Sequence, residues 1–354
     1  MNRKILSIVI PAYNAERYLE KNLDTILGSQ DILKLNEIDI NELLEVLVVN
    51  DGSGDNTQTI AEKYESAHPK IIRVINKENG GHGSAINVGI EYAQGKYFKV
   101  IDADDWVDSE AFAHFLLSLK EADSDIVYSG FEWAIENNKG FKFKKEFKEP
   151  FIDVEYGREY KFADVASKLY IKMHHMTIKT EIYRKNKIRI DEHLYYVDTE
   201  FVLYPIPYIE TITFTDDFVY MYRLGRAGQS MDPEKLLKNE IQFEFVLNQL
   251  LKFYTSLLED NVDHKAYEEL SRSKIEYVEN FIARIYAGRI KILLSAKSSK
   301  VKYKELVAKE ATLRKNYPKI YRANINKAIK ILRKSKYKLY YLATFILKIK
   351  NKNR

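Results

Sequence analysis

The sequence predicts an α/β fold: a mainly parallel sheet flanked by helices, followed by a helical C-terminal region. Three observations predict it. Through the first 130 residues, short buried-strand runs alternate with helical stripes, the pattern of a parallel sheet covered on both faces. Polar clusters fall where those strands end, at Tyr13-Asn14, Asn50-Asp51, Asn79 to His82 and Asp102 to Asp105, and in open α/β sheets ligands sit outside the carboxyl ends of strands. From Glu234 onward the apolar period becomes that of helices.

Each element follows from its residues. Residues 6–10 form an apolar run ended by Pro11 and read as a buried strand. Residues 15–27 read as a helix with Leu19, Leu23 and Ile26 on one face. A second strand, 46–49, closes in the turn Asn50-Asp51-Gly52-Ser53. Then come a helix over 57–66, a strand over 71–75, a helix over 84–93 behind a Gly-rich turn, and a strand over 97–101. A helix over 109–119 starts at the cap Asp108, and a fifth strand covers 125–128. Residues 131–230 are mixed, with short strands and many aromatics, and 137–148 reads as a hairpin or loop. Leu236, Phe243, Leu247, Leu250, Tyr254 and Leu257 then keep a helical stripe, 271–294 continues it, and Pro318 opens a last basic helix.

The bulk numbers narrow the class. With 354 residues, 45% hydrophobic and 30% charged, the chain suits a soluble globular protein of one large or two ordinary domains. It has no cysteine, so disulfides and thiolate metal sites are excluded, and a metal would need oxygen or imidazole ligands. The apolar run after basic Met1-Asn2-Arg3-Lys4 stops at Pro11, too short for a signal-peptide core, and no run approaches the roughly 20 residues of a membrane span. These features lead to the expectation of a cytoplasmic protein.

The net charge of +5 is unevenly spread. From Ala311 to Arg354 there are 14 Lys or Arg and no Asp or Glu, so the preceding 310 residues carry −9. A basic tail points to an anionic partner. Residues 329–350 alternate apolar and basic side chains, which suits an amphipathic helix on the inner face of an anionic membrane or, alternatively, a helix packed on the body. Nucleic acid fits poorly, because the body is acidic and no reading motif appears.

Asp102-Ala103-Asp104-Asp105 carries the chemistry. Carboxylates clustered at a strand end are costly unless something positive binds there. Mn²⁺ or Mg²⁺ takes one or two carboxylates plus substrate phosphates, which makes Asp104 and Asp102 the candidate metal ligands. Such triplets also occur by chance as helix caps. Asp51 directly follows a strand, where its carboxylate can accept from a nucleobase or ribose, whereas Asp55 can simply cap the next helix.

Taken together, Ile8 to Asn14, Val48 to Asp55, Asn79-Gly80-Gly81 through Asn87-Val88-Gly89, Gly95-Lys96-Tyr97 and Asp102 to Asp105 resemble the family-2 glycosyltransferases of GT-A fold. The resemblance implies a catalytic domain over 1–230, with a nucleotide-sugar half (1–130) and an acceptor half (131–230), and a helical region over 231–354. It implies a nucleotide-diphospho-sugar donor, usually a UDP-sugar, and transfer with inversion to a glycan, teichoic acid or lipid-linked acceptor. Pro11, Ala12, Tyr13 and Asn14 would line the base pocket and Asp51 would hold the base. Gly81, His82, Asn87, Asp102, Ala103 and Asp104 would surround the donor. Ile86 departs from the family's frequent Arg, and the segment 28–44 is longer than usual, as an addition on the surface.

In Tyr195 to Phe201, Val197 replaces the first acid of the family's acceptor-side pair and Asp198 keeps the second. The resemblance makes Asp198 the general base, with Glu200 as fallback. The segment 220–230 would close over the donor, with Arg223, Arg226 and Gln229 near the diphosphate. Trp106 is placed either for a sugar or for the core. His174-His175, read as strand neighbours pointing to opposite faces, do not suggest a metal pair. Two rivals are a sugar-nucleotide nucleotidyltransferase and a non-catalytic binding module. The first needs a Gly- and Arg-rich loop where Pro11 to Asn14 stand, and the presence of both Asp104 and Asp198 argues against the second. No G-x-G-x-x-G follows the first strand, which argues against a dinucleotide-dependent dehydrogenase.

Overall fold

The computed structural model describes residues 4–137, 139–146, 154–225, 229, 233–259, 272–295 and 299–352. The chain divides into two compact units, one formed by 1–165 with 171–226 and the other by 166–170 with 227–354.

The first unit is built on a mixed sheet of ten strands, β1 (Leu6–Ala12), β2 (Leu44–Asp51), β3 (Ile72–Lys77), β4 (Tyr97–Val100), β5 (Trp106–Val107), β6 (Ile126–Asn137), β7 (Gly140–Lys145), β8 (Glu159–Lys161), β9 (Met176–Lys179) and β10 (Thr211–Leu224). The order is β3-β2-β1-β4-β9-β6-β10-β5, with β7 paired to β6 and β8 to β10. β3, β2, β1 and β4 run parallel. The chain winds outward from β1 through β2 to β3, then returns to the other side of β1 as β4. That reversal opens a crevice at the carboxyl ends of β1 and β4, where such sheets take ligands. Antiparallel β9 then joins β4 to β6.

Helices α1 (Leu19–Leu35), α2 (Ile40–Leu43), α3 (Thr57–Ala67), α4 (Gly81–Tyr92), α5 (Ser109–Glu121), α6 (Phe162–Val165), α7 (Thr180–Lys185) and α8 (Asp198–Leu203) complete this unit. Leu6, Ile8, Ile10, Val46, Val48, Leu19, Leu23, Ile26, Phe112 and Leu116 share one buried core. As expected, the Asp108 carboxylate caps α5 by accepting the Ala111 N–H at 2.9 Å. The hairpin expected over 137–148 is β6–β7, as far as Lys145.

Two expectations are corrected. The first helix starts at Leu19 because side chains of the next loop capture the backbone before it: Thr57 Oγ1 accepts the Ala15 N–H and Asp55 Oδ2 the Glu16 N–H. The helix continues to Leu35, and Ser29, Leu33, Ile40 and Leu43 are buried, so the long 28–44 segment belongs to the core.

The second unit holds α9 (Pro233–Lys238), α10 (Glu240–Leu258), α11 (Arg272–Ser295) and α12 (Lys300–Asn316), and the last three bury apolar side chains such as Leu247, Leu250, Phe281, Ile282, Leu306 and Leu313. The single basic helix expected from Pro318 is instead three: α13 (Pro318–Ala323), α14 (Lys327–Lys334) and α15 (Tyr340–Lys352). Asn326 stops the first run by capping α14 through the Ile329 N–H, and Lys336 and Tyr337 adopt left-handed backbone, φ 50° and 63°, which ends the second. No helix among the described residues is long and apolar enough to cross a membrane.

Candidate active site

Asp102 to Asp105 turn sharply after β4, and two elements hold the turn. From α1, the buried Asn22 amide donates to the carbonyls of Asp102 (3.0 Å) and Asp105 (2.9 Å). From β10, the Tyr220 hydroxyl donates to Asp105 Oδ2 at 2.6 Å, and the Arg223 N–H donates to Asp105 Oδ1 at 2.8 Å. Asp105 therefore faces inward. Burial and the carboxylates of Asp104 and Asp102 push its pKa well up, against the pull of those two hydrogen bonds. Sequence reading placed Asp105 in the acid cluster without a role of its own and singled out neither Asn22 nor Tyr220; Asp105 carries a signal, since an acid inside a buried strand-end turn needs an inward partner.

Asp102 and Asp104 are only partly buried. His82, in the first turn of α4, sets Nε2 2.8 Å from Asp102 Oδ1. Burial disfavours its charge, yet the carboxylates of Asp102, Asp198 and Asp104 outweigh burial and raise its pKa. The helix begins where it does because Asp51, at the end of β2, accepts the N–H groups of Gly80 (2.9 Å) and Gly81 (2.8 Å) and pairs with Lys77 at 2.7 Å. Gly81 needs its φ of +83°, and a Cβ on Gly83 would lie 2.1 Å from the Asp191 carbonyl oxygen. Only glycine lets the 190–194 segment press against this turn.

That segment delivers Asp198. Both ends of the Asn87 amide are taken by it: Asn87 Oδ1 accepts the Ile190 N–H at 2.9 Å, and Nδ2 donates to the Ile190 carbonyl at 2.8 Å and to Glu192 at 3.0 Å. His193 N–H donates to the Gly80 carbonyl at 2.5 Å. Asp198 then opens α8. Burial raises its pKa and the Asp102 carboxylate raises it further, while His82 opposes. The structure thus brings Asp102, Asp104, His82 and Asp198 within electrostatic reach of one another.

At the mouth of the crevice Ala12 is buried, Pro11 is half-buried, and the Tyr13 ring is 57% exposed. Asn14, with φ 50°, locks to the next loop: its N–H donates to Ser53 Oγ and its side chain accepts the Gly54 N–H.

Other expected residues are placed differently. Asn87 and Asp51 have structural partners, which leaves Asp51 bracing the Gly-rich turn. Trp106 is buried among Ala134, Met221 and Phe141, with the Lys21 ammonium 3.3 Å from its ring centroid. Arg223 lies on the same face. Its Nε donates to the Asp104 carbonyl at 2.9 Å, and its guanidinium stacks near Tyr18, Trp106 and Phe141. Strand alternation in β10 turns it under the acid loop. Glu200 is fully buried and accepts the Asp191 N–H at 2.9 Å, which removes it as a fallback base. Arg226 lies outside the described residues, and Gln229 falls in the second unit.

His174 and His175 sit in a 3₁₀ turn, not a strand. His175 hydrogen-bonds Glu146 at 2.6 Å, and His174 packs on Tyr220 and Tyr222. Burial lowers both pKa values, to about 4 and about 3. Among the described residues no three Asp, Glu or His side chains converge as a metal cage.

Residues 7–189 match the model of glycosyl transferase family 2. The chain belongs to that family. The uncharacterized glycosyltransferase EpsJ of Bacillus subtilis is 28% identical over 238 residues, 67% of this chain and 66% of EpsJ. Poly(ribitol-phosphate) beta-glucosyltransferase of Bacillus spizizenii is 28% identical over 229 residues, 64% of this chain and 33% of that protein. The chain thus spans less than two thirds of either relative's length. A crystal structure of S. aureus TarS 1-349 in complex with UDP matches with a TM-score of 0.62 at 18% identity, over 99% of this chain and 92% of that one. The family-2 fold expected from the motifs, a GT-A sheet with a helical C-terminal region, is the fold of this chain.

Proposed function

We propose that this protein is an inverting glycosyltransferase that moves a sugar from a UDP-sugar to a hydroxyl of a cell-surface glycan, teichoic acid or lipid-linked acceptor. One observation carries the reading: a raised Asp198 carboxyl and a His82–Asp102 pair meet at the crevice between β1 and β4. The uracil ring would stack on exposed Tyr13, over Pro11 and Ala12. The pinned Gly80–Gly81 turn sets His82 toward the diphosphate, whose negative charge matches its raised pKa.

Asp198 acts as general base. It takes the acceptor hydroxyl proton as that oxygen attacks the anomeric carbon, and the bond to the diphosphate oxygen breaks with its electron pair leaving on UDP. One displacement inverts the centre and needs a single base opposite the leaving group.

Asp102 and Asp104 are oxygen donors of the kind that hard cations use, and two carboxylates with substrate phosphates suffice for Mn²⁺ or Mg²⁺, so the residues present fit such an ion without a third protein ligand. A divalent ion bound there would supply neutralisation of the leaving diphosphate. UDP and a polyanionic acceptor are supported by the relatives: TarS was crystallised with UDP, and the B. spizizenii relative is named for poly(ribitol phosphate).

The test is a screen of nucleotide sugars by UDP release, with and without Mn²⁺. Turnover of at least one UDP-sugar is expected. Binding of UDP elsewhere than beside Tyr13 and Asp104 in a crystal soak would overturn the site.

A further inference from the structure

Helix α15 shows one face to its own unit and the other to solvent, and the solvent face is the apolar one. Tyr340 and Thr344 are buried, with Tyr340 edge-on to Tyr303 at 5.5 Å. On the opposite side Leu342 is 53% exposed, Phe345 62%, Ile346 55% and Ile349 48%. Their spacing of three, four and seven residues makes one continuous stripe. Leu339 and Tyr341 extend it, and Lys334, Lys336 and Lys338, just before the helix, and Lys348 within it are exposed.

A packed helix hides its apolar stripe, so this one suits a surface that the described residues do not provide. The charge identifies that surface. With 14 basic and no acidic residues after Glu310, the region is attracted to anions. A soluble polyanion would leave the four apolar side chains in water. A second copy would set two strongly basic helices against each other. An anionic bilayer offers phosphate at the depth of the lysines and acyl chains at the depth of the stripe. The 13 residues of α15 are too short to span roughly 30 Å of hydrocarbon. We propose that α15 lies in the plane of an anionic membrane surface, with Leu342, Phe345, Ile346 and Ile349 inserted and the surrounding lysines at the headgroups. This assignment rests on the second unit alone and is independent of the catalytic reading.

Vesicle flotation with the full chain tests it, using phosphatidylcholine vesicles with or without about a third phosphatidylglycerol. The protein should float with the anionic vesicles only. Phe345→Glu with Ile349→Glu should lower binding at least tenfold, while circular dichroism and UDP affinity stay unchanged. Lys338→Glu with Lys348→Glu should weaken binding and flatten its salt dependence. Wild-type protein left unbound by anionic vesicles overturns the proposal, as does a Phe345/Ile349 variant that binds like wild type. So does a concentration-dependent dimer, lost in that variant, in protein that ignores vesicles. Loss of UDP-sugar turnover with vesicle binding intact counts against the catalytic reading only.

Discussion

Two clusters of buried and half-buried carboxylates, one in each unit, are handled in opposite ways. In the helical unit the acids are matched by full cations. Arg289 reaches Glu240, Glu244 and Glu305, Lys302 and Lys309 join them, and buried Glu310 pairs with Arg333 at 2.6 Å. Burial would raise the Glu244 pKa, but Lys309 and Arg289 win and lower it. At the crevice, burial wins. Asp198 and Asp105 are raised, and the partner of Asp102 is the His82 imidazole, whose own pKa the surrounding carboxylates raise against burial. Charges matched within the fold are structural. On the proposed function, the carboxylates at the strand end face a ligand, whereas the first set holds the fold.

The sharpest way to break this contrast is Asp198→Asn. It should cut kcat by about 10³, roughly 4 kcal/mol of barrier, and leave UDP affinity unchanged in calorimetry. The wild-type rate should rise with pH through a limb above the usual carboxylate range, because a base with a raised pKa becomes active only above it. The limb should vanish in the variant. Transfer that survives the substitution would move the base elsewhere.

In the helical unit, Arg333→Met leaves Glu310 buried without its cation. The expected loss is about 3 kcal/mol, read in urea unfolding, with amide protection lost across α12 to α14. A neutral result would mean that the ion pair is ornamental and that the two clusters are not so different.

Most of the fold was legible in the sequence, because strand runs and helix stripes are local signals. The places of the acid turn, His82 and Asp198 at element ends were legible too, since each stands in a short motif. What was not legible depends on partners far away in sequence. Nothing near Arg223 shows that its guanidinium turns under the Asp104 carbonyl, since that follows from the register of β10 on β6. Asn87 looks like a donor ligand until Ile190, about a hundred positions on, takes both ends of its amide. The basic tail announced a helix, but its two left-handed residues, Lys336 and Tyr337, have no composition that predicts them.

A smaller effect separates the clusters by pH. Glu200 is buried with its pKa pushed up to about 8, chiefly by burial. Its folded pKa lies above the unfolded value near 4.3, so its contribution is fully present below that value and is lost as pH rises through 8. Glu200→Gln, which can still accept the Asp191 N–H, should stabilise by about 2 kcal/mol at pH 8 and little at pH 4. Glu244 has the opposite sign: its stabilisation holds above the unfolded pKa and is lost as pH falls. Thermal melts that shift equally at both pH values in Glu200→Gln would contradict the first half.

Exposed aromatics offer the finest test, because each unit shows some. Phe345 belongs to an exposed apolar stripe in a basic region, whereas Tyr13 is exposed beside buried Ala12 at the end of β1, and its neighbour Asn14 is fixed by Ser53 and Gly54. The backbone next to Tyr13 is tied by hydrogen bonds while its side chain is exposed, which suits a stacking platform for a base. Base–aromatic stacking is worth about 1–3 kcal/mol. Tyr13→Ala should therefore weaken UDP about tenfold, near 1.4 kcal/mol. Tyr13→Phe should restore the affinity, since the face and not the hydroxyl makes the contact. The Ala variant should bind anionic vesicles as wild type does, and Phe345→Glu should bind UDP as wild type does. If either variant disturbed the other's ligand, the two exposed aromatics would not be serving separate surfaces.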